Sequence, residues 1–586
     1  MVVDGARETP ATLAGSAFSK ITLSDSLSTP SSPTIMAPVP TLKQSPSSLS
    51  SNPPKTPFPG TGTGTFSNPF IVDYLPSDPL NPYNWPKSKR WGVTMLIGVT
   101  ALCPPFASVS YSATLGDVVQ DFGISRELAT AGISLFIAGF GFGPLIWAPL
   151  SEIYGRVPAF LLSYPIFTLF NLGTALSHST APLMVTRFWA GFFGAVTLTN
   201  SGAQIGDMWA VWERAVATSV FALAPFLGPV AGPIVGGYVA EKCGYRWVYW
   251  IQFIFAAVMT VLCIIFIPET YAPTILRREA IRLQKVAQEE GRDEHFISKY
   301  DIERKSKMEI IQIGLYRPFQ MLFTEVIVAC LSVYGALIYG ILYLFFTAFP
   351  IVFQQTRHWS IGQSGLAFLG MGVGLMAGVA INPCISAYFY TRSHLIDGRP
   401  PPESRLPVCC IGAILAPLGL FWFAWTSAPP VHYIVSIIAC IPFGLAFLLI
   451  FTSMTNYLID SYELYAASAL AAQAVSRCLF GAIFPLFAKD MYEGMGLHWA
   501  GTVVAFLALA CTPLPFLFYR YGAFLRRKSR YAPSIVVPSN HDEEKGEEKE
   551  EEGLSKVRSR GEEGLEPEWA RDAGEGAGRE RRLVKV

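Results

Sequence analysis

The chain has 586 residues, of which 51% are hydrophobic and only 15% are Asp, Glu, Lys or Arg, against roughly 25% charged in an ordinary soluble protein. Of its 44 basic and 43 acidic residues, 60 fall in residues 1–90, 269–318 and 522–586, so the stretches between are too poor in charge to face water. This excludes a soluble enzyme, and a net charge of +1 excludes a nucleic-acid binder working through a basic field.

Residues 1–88 are rich in Ser, Thr, Pro and Gly and predict a disordered cytosolic tail, because they offer too little apolar surface to offset ordering entropy. The run Gly60 to Gly64 reads as linker, since no strand, helix or Gly-Lys-Ser/Thr completes a phosphate loop. No removable signal peptide is expected, and the first span does the targeting. From Trp91 onward, apolar segments of membrane-crossing length recur near 91–114, 128–150, 158–177, 181–206, 214–239 and 247–267. Six more follow near 325–353, 364–386, 407–425, 431–455, 465–488 and 498–521. The reading is an all-α membrane protein of twelve helices in two six-helix halves, 89–267 and 319–521. A cytosolic loop at 268–318 joins them and a charged cytosolic tail, 522–586, follows.

Twenty Lys and Arg near the span ends, among them Arg156, Arg317 and Arg526, gather on one side, against Arg126, Lys242, Arg246, Arg357 and Lys489 on the other. That bias places both termini and the central loop in the cytosol. Gly132, Gly139, Gly141 and Gly143 of the second span are echoed by Gly370, Gly372, Gly374 and Gly378 of the eighth, which suggests an internal duplication with a pathway between the halves. The ten cysteines mostly sit in apolar runs without a CxxC pair or metal-spaced His, so neither a disulfide framework nor a metal site is expected.

Taken along the chain, the polar residues inside or beside spans are the candidates for chemistry. Pro149 to Arg156, PLSEIYGR, puts Glu152, Gly155 and Arg156 in a very short loop where carboxylate and guanidinium can latch, with Asp207 at the foot of the fourth span as a second anion. Arg187 lies within the fourth span, and Thr197, Ser201 and Gln204 share its face as a polar stripe. In the fifth span, GPVAGPIVGG carries Gly228, Pro229, Gly232, Pro233, Gly236 and Gly237, combining kinks with close helix approach. Glu325 at the start of the seventh span is the one convincing span acid, and its half-shielded position makes it a proton-coupling candidate together with Arg187 and Arg477 of the eleventh span. Tyr339, Tyr343 and Phe346 share a face of the seventh span and are candidates to line a substrate cavity by stacking.

PLSEIYGR resembles the loop signature of the major facilitator superfamily, and GPVAGPIVGG resembles the antiporter motif of its drug-exporting members. Asn81 to Trp91, Arg187 to Ala195, Phe221 to Pro229, Pro268 to Leu283, Leu342 to Phe353 and Ala466 to Phe487 narrow the resemblance to fungal drug/proton antiporters with twelve spans, across about residues 70–530. The resemblance implies a gating loop at Glu152, Gly155 and Arg156 and proton coupling at Arg187. Ala148, Glu152 and Val157 depart from the usual loop, which commonly has Gly, Asp and a second basic residue there. The expected function is proton-coupled export of small amphipathic or aromatic compounds by alternating access, by a plasma-membrane monomer whose partners are its small-molecule substrate, protons and lipid. No cofactor, catalytic residue or nucleic-acid partner is expected. A polyamine exporter is the alternative within transport, and a non-transporting sensor or receptor of the same fold the alternative outside it.

Overall fold

The structure, a computed structural model, describes residues 62–302, 306–392 and 401–532. Residues 1–61 and 533–586, most of the two expected tails, lie outside the described residues. Among the described residues eleven helices are long and apolar enough to cross a membrane. The last, Ala466–Arg527, has 62 residues, about twice what a bilayer needs. It is broken at Gly496, whose φ of 76° is outside the helical range, so it makes two passes and the spans reach the expected twelve. Gly155 separates the second span (Arg126–Tyr154) from the third (Arg156–Ala175) as a single residue at φ 105°, which only glycine adopts without strain.

The remaining spans run Lys87–Phe122, Thr180–Met208, Val216–Cys243, Tyr245–Phe266, Val326–Thr356, Ile361–Phe389, Pro402–Thr426 and Tyr433–Tyr462. Hydrogen bonds tie one end of the bundle together, where Arg90 meets Glu213, Arg156 meets Asp207 and Arg405 meets Asp460. The described residues of the 268–318 segment pack there, so it is called the loop end and the opposite one the far end.

Glycines let the helix backbones touch, and they do so with the expected internal symmetry. A Cβ at Gly139 or Gly143 of the second span would run into the carbonyls of Phe188 or Phe192 in the fourth. Gly370 and Gly374 of the eighth span meet Ile437 and Ile441 of the tenth in the same way. Between each pair, one glycine faces the other half: Gly141 lies against Cys478 of the eleventh span, and Gly372 against Val230 of the fifth. Small residues therefore build both halves and the seam between them.

The fifth span divides its motif between these two tasks. Gly228, Gly232 and Gly236 lie against the first span at Leu102, Phe106 and Ser110, four residues apart on both helices. Gly237 instead faces the eighth span, where an added Cβ would come within 2.8 Å of the Ile361 carbonyl oxygen. At this far end Glu241 accepts a hydrogen bond from the Gly362 N–H at 3.0 Å, and Lys489 approaches Glu127 at 3.4 Å. Both contacts join one half to the other.

The expectation of disorder throughout 1–88 is corrected by the structure. Phe70–Val72 forms a strand, β1, that pairs in parallel with β2, Phe296–Ser298, from the central loop. Val72, Tyr74 and Phe296 pack on the buried face of a linker helix, Ala272–Glu289, at Leu276, Ala280 and Leu283. Asp73 pairs with Lys299 at 2.8 Å. The Ser/Pro-rich average of the tail concealed this short apolar run, which finds its partner about 225 residues away. A second linker helix, Lys307–Thr324, bridges the halves at the loop end: Gly314 lies against Pro149 of the second span, and the Arg317 guanidinium sits 4.9 Å from the Tyr465 ring.

Candidate functional site

Two polar regions stand out, one along the seam between the halves and one at the loop end. In the first half Arg187 is completely buried. Its Nη1 and Nη2 donate to the Ala107 and Ser108 carbonyls, both at 2.8 Å, and Nε donates to Gly132 O at 3.2 Å. Ala107 and Ser108 belong to the last turn of the helix Lys87–Ser110, where carbonyls lack partners within the helix and the dipole is negative. Tyr111 and Phe136 close over the guanidinium, each with its ring centroid 4.6 Å away. Arg187 is thus a helix cap welded into its half.

Arg477 is held differently. Its guanidinium lies 5.6 Å from the Tyr339 ring, and its buried Nε has no hydrogen-bond partner. One turn earlier, Gln473 is buried with its Nε2 also unpartnered. No Asp or Glu pairs with either arginine among the described residues. In sequence, every acidic residue of the spans lies close to a helix end.

The aromatic face beside Arg477 contains two of the expected cavity residues. The Tyr339 and Tyr343 hydroxyls are 3.5 Å apart, and Tyr339 packs against Phe447 and Phe451. Phe226 of the first half meets the same two rings at 5.1 and 5.9 Å, so the aromatic wall crosses the seam. A small recess beside it is lined by Pro105, Ser108, Phe136, Ile137, Phe140 and Tyr343. Phe346 turns toward Phe368 of its own half.

The polar stripe of the fourth span lies elsewhere. Thr197 donates to the Gly194 carbonyl at 2.9 Å, and Ser201 Oγ and both amide atoms of Gln204 are buried without a protein partner. Their helix, Val196–Met208, packs against first-half spans, so the stripe is inside that half.

At the loop end, Arg156 Nε bonds Asp207 at 3.4 Å and Nη1 bonds Ser151 Oγ at 2.7 Å. Glu152 is exposed and does not pair with Arg156, so the ion pair runs to the second anion instead of the nearer one. The hub is a residue that sequence reasoning passed over. Glu269 accepts from the N–H groups of Arg156, Val157, Thr270 and Tyr271, at 3.1 to 3.2 Å. Arg156 and Val157 open the third span, so this carboxylate caps its N-terminus. Thr270 Oγ1 donates to Asp207 at 3.3 Å, and Tyr271 stacks under the Arg156 guanidinium at 4.5 Å. A carboxylate placed directly after Pro268 at the close of the sixth span was the available signal. Glu325 lies apart from all of these: it is buried and accepts from the Tyr462 hydroxyl and the Arg530 N–H, both at 3.1 Å.

The chain matches the model of the Major Facilitator Superfamily over residues 97–485. It is 46% identical to the MFS-type efflux pump MFS2 of Trichophyton rubrum, over 81% of this chain and 79% of the relative. Identity is 45% to the Major facilitator superfamily multidrug transporter mdrA of Aspergillus fumigatus, over 81% and 78%. The Citrinin biosynthesis cluster MFS transporter mrr1 of Monascus ruber is 41% identical over 78% and 91%. Among solved structures, the proton:xylose symporter XylE superposes with a TM-score of 0.54 at 15% identity, covering 75% of this chain and 96% of the symporter, a likeness of fold alone.

Proposed function

The chain belongs to the major facilitator superfamily, and on that premise we propose that it exports small aromatic or amphipathic compounds in exchange for protons, rocking its two halves about the seam. The observation that supports this most is the aromatic wall in which Phe226 meets Phe447 and Phe451 across the halves, with Tyr339 packed on the same two rings. Flat apolar molecules gain burial and stacking there without needing polar partners. In this reading the far-end contacts Glu241 to Gly362 and Lys489 to Glu127 close one face, and rocking exchanges them for contacts at the loop end. The Arg156, Asp207 and Glu269 cluster stiffens the gating loop, with Gly155 as its turn. The protein works as a monomer in the plasma membrane with both termini in the cytosol. A polyamine cargo fits less well, because no carboxylate lies near the middle of any span.

The test is flux by the purified full-length chain in vesicles with an imposed pH gradient. Saturable, gradient-driven accumulation of aromatic compounds is expected. Flux indifferent to the gradient overturns proton exchange, and absence of flux for every compound class favours a sensor.

A further inference from the structure

We propose that the seam selects aromatic anions, with a substrate carboxylate pairing to Arg477 while its ring lies against Tyr339, Phe447, Phe451 and Phe226. The inference rests on the export reading and adds to it a charge and a docking residue.

Placing a guanidinium away from water is costly unless its donors and its charge are answered. For Arg187 three carbonyls answer them. For Arg477 the structure leaves Nε without an acceptor and provides no carboxylate, and the next donor along that face, Gln473 Nε2, is unanswered too. Both are donors, one turn apart on the eleventh span. The seventh span runs beside them: Gln473 Nε2 lies 3.5 Å from where a Cβ on Gly335 would stand, and Arg477 lies over Tyr339, one turn further. Across the seam, Ser108 Oγ is buried in the recess that Tyr343 also lines. The carbonyl of the same residue accepts from Arg187, so the first-half guanidinium is held at the neighbouring backbone.

The region therefore presents donors and positive charge inside an aromatic wall, and the chain contains no mid-span acid to balance them. A ligand that brings a planar anion supplies the missing partner, and a carboxylate matches the fork of a guanidinium in a bidentate pair. A cation would add to the uncompensated charge, and a neutral ligand could accept from a donor but would leave the charge unanswered.

Three probes of one shape separate these cases: 2-naphthoate, 2-naphthamide and 2-naphthylmethylammonium. Binding to the purified full-length chain is measured by equilibrium dialysis at neutral pH, and counterflow of each probe is followed in vesicles. Naphthoate is expected to bind about tenfold or more tightly than either analogue. Arg477→Gln should bring the naphthoate and naphthamide affinities to within about twofold, and Arg477→Lys should keep part of the preference. If Arg477→Gln does not reach the membrane, Gln473→Leu carries the test, with a loss of preference of about threefold or more. Wild-type affinity for the amide or the ammonium equal to that for naphthoate overturns the inference, as does full preference in a folded Arg477→Gln chain. Counterflow without anion preference leaves export standing and sinks only the anion. Preferential, Arg477-dependent binding without counterflow keeps the docking site and overturns export.

Discussion

Each half carries one arginine inside a span, and the two are treated in opposite ways. Arg187 donates to three carbonyls from two spans and is roofed by two rings. Arg477 has one ring and a buried donor left over. The sequence context of the two is alike, a single Arg in an apolar run, yet what decides their tasks is whether free carbonyls lie within reach. The first span ends its regular helix at Ser110, inside the bundle, and so exposes such carbonyls to the fourth. A neighbouring helix end thus decides whether an arginine inside a span has its donors answered by backbone carbonyls.

The contrast is broken most directly by exchanging stability for transport as the measured quantity. Arg187→Ala should lose charge-assisted hydrogen bonds of about 1.5 to 3 kcal/mol each and leave a cavity, so the chain should unfold at much lower temperature or fail to reach the membrane. Arg187→Lys should rescue little, because one ammonium cannot span carbonyls on two helices. Arg477→Gln should keep its thermal midpoint within a few degrees of wild type, since it removes an unanswered charge. Equal destabilisation of the two in fluorescence-detected thermal melts would erase the distinction.

The fifth-span glycines sharpen the same contrast between what holds a half and what joins the halves. Gly236→Leu forces a side chain where even a Cβ would lie 2.9 Å from the Ser110 carbonyl oxygen, at a cost of about 1 to 3 kcal/mol or more within the first half. Gly237→Ala meets Ile361 of the second half instead, so it should slow transport more than it lowers the melting midpoint. Initial flux normalised to surface protein, set beside the melting midpoint, reads both.

At the loop end smaller effects are expected. Glu269→Ala removes the cap of the third span and should cost about 1 kcal/mol, with Glu269→Gln intermediate because an amide oxygen still accepts but carries no charge toward the helix dipole. A midpoint unchanged by both would remove Glu269 as the hub.

Smallest is the exposed pair Asp73 and Lys299, worth about 0.2 to 1 kcal/mol. Partial burial raises the Asp73 pKa, but the Lys299 hydrogen bond and charge and the Tyr74 N–H outweigh it and leave the carboxyl below its ordinary value. Its contribution is therefore present above that ordinary value and is lost as pH falls through the lowered one. Asp73→Asn should make protease cleavage around β1 faster at neutral pH and remove the acid dependence of that cleavage.

Much of this architecture was legible in the chain. Hydropathy located the spans, and the echo of Gly139, Gly141 and Gly143 in Gly370, Gly372 and Gly374 foretold the paired seams, because backbone contact between helices admits little besides glycine. The site was less legible. Thr197, Ser201 and Gln204 form a stripe on a helical wheel, but a wheel does not say which neighbour a face meets, and here it meets the first half. Proximity in sequence suggested Glu152 as the partner of Arg156, whereas the turn at Gly155 aims the guanidinium at Asp207. Glu269 and the strand at Phe70 were hard to read for a shared reason: the chain displays the carboxylate after Pro268 and the short apolar run, but their partners lie more than 100 positions away.

The folded linker also sets a mechanical limit. Drawn out, the 51 residues from 268 to 318 could reach about 170 Å and would leave two domains free to wander. The linker helices Ala272–Glu289 and Lys307–Thr324, the second of which runs on past residue 318, are each only about 27 Å long. The described residues of the segment are anchored at both ends, by Glu269 on the third span and by Gly314 and Arg317 against Pro149 and Tyr465. In the proposed rocking, this segment is a short strut between the halves and not a loose tether.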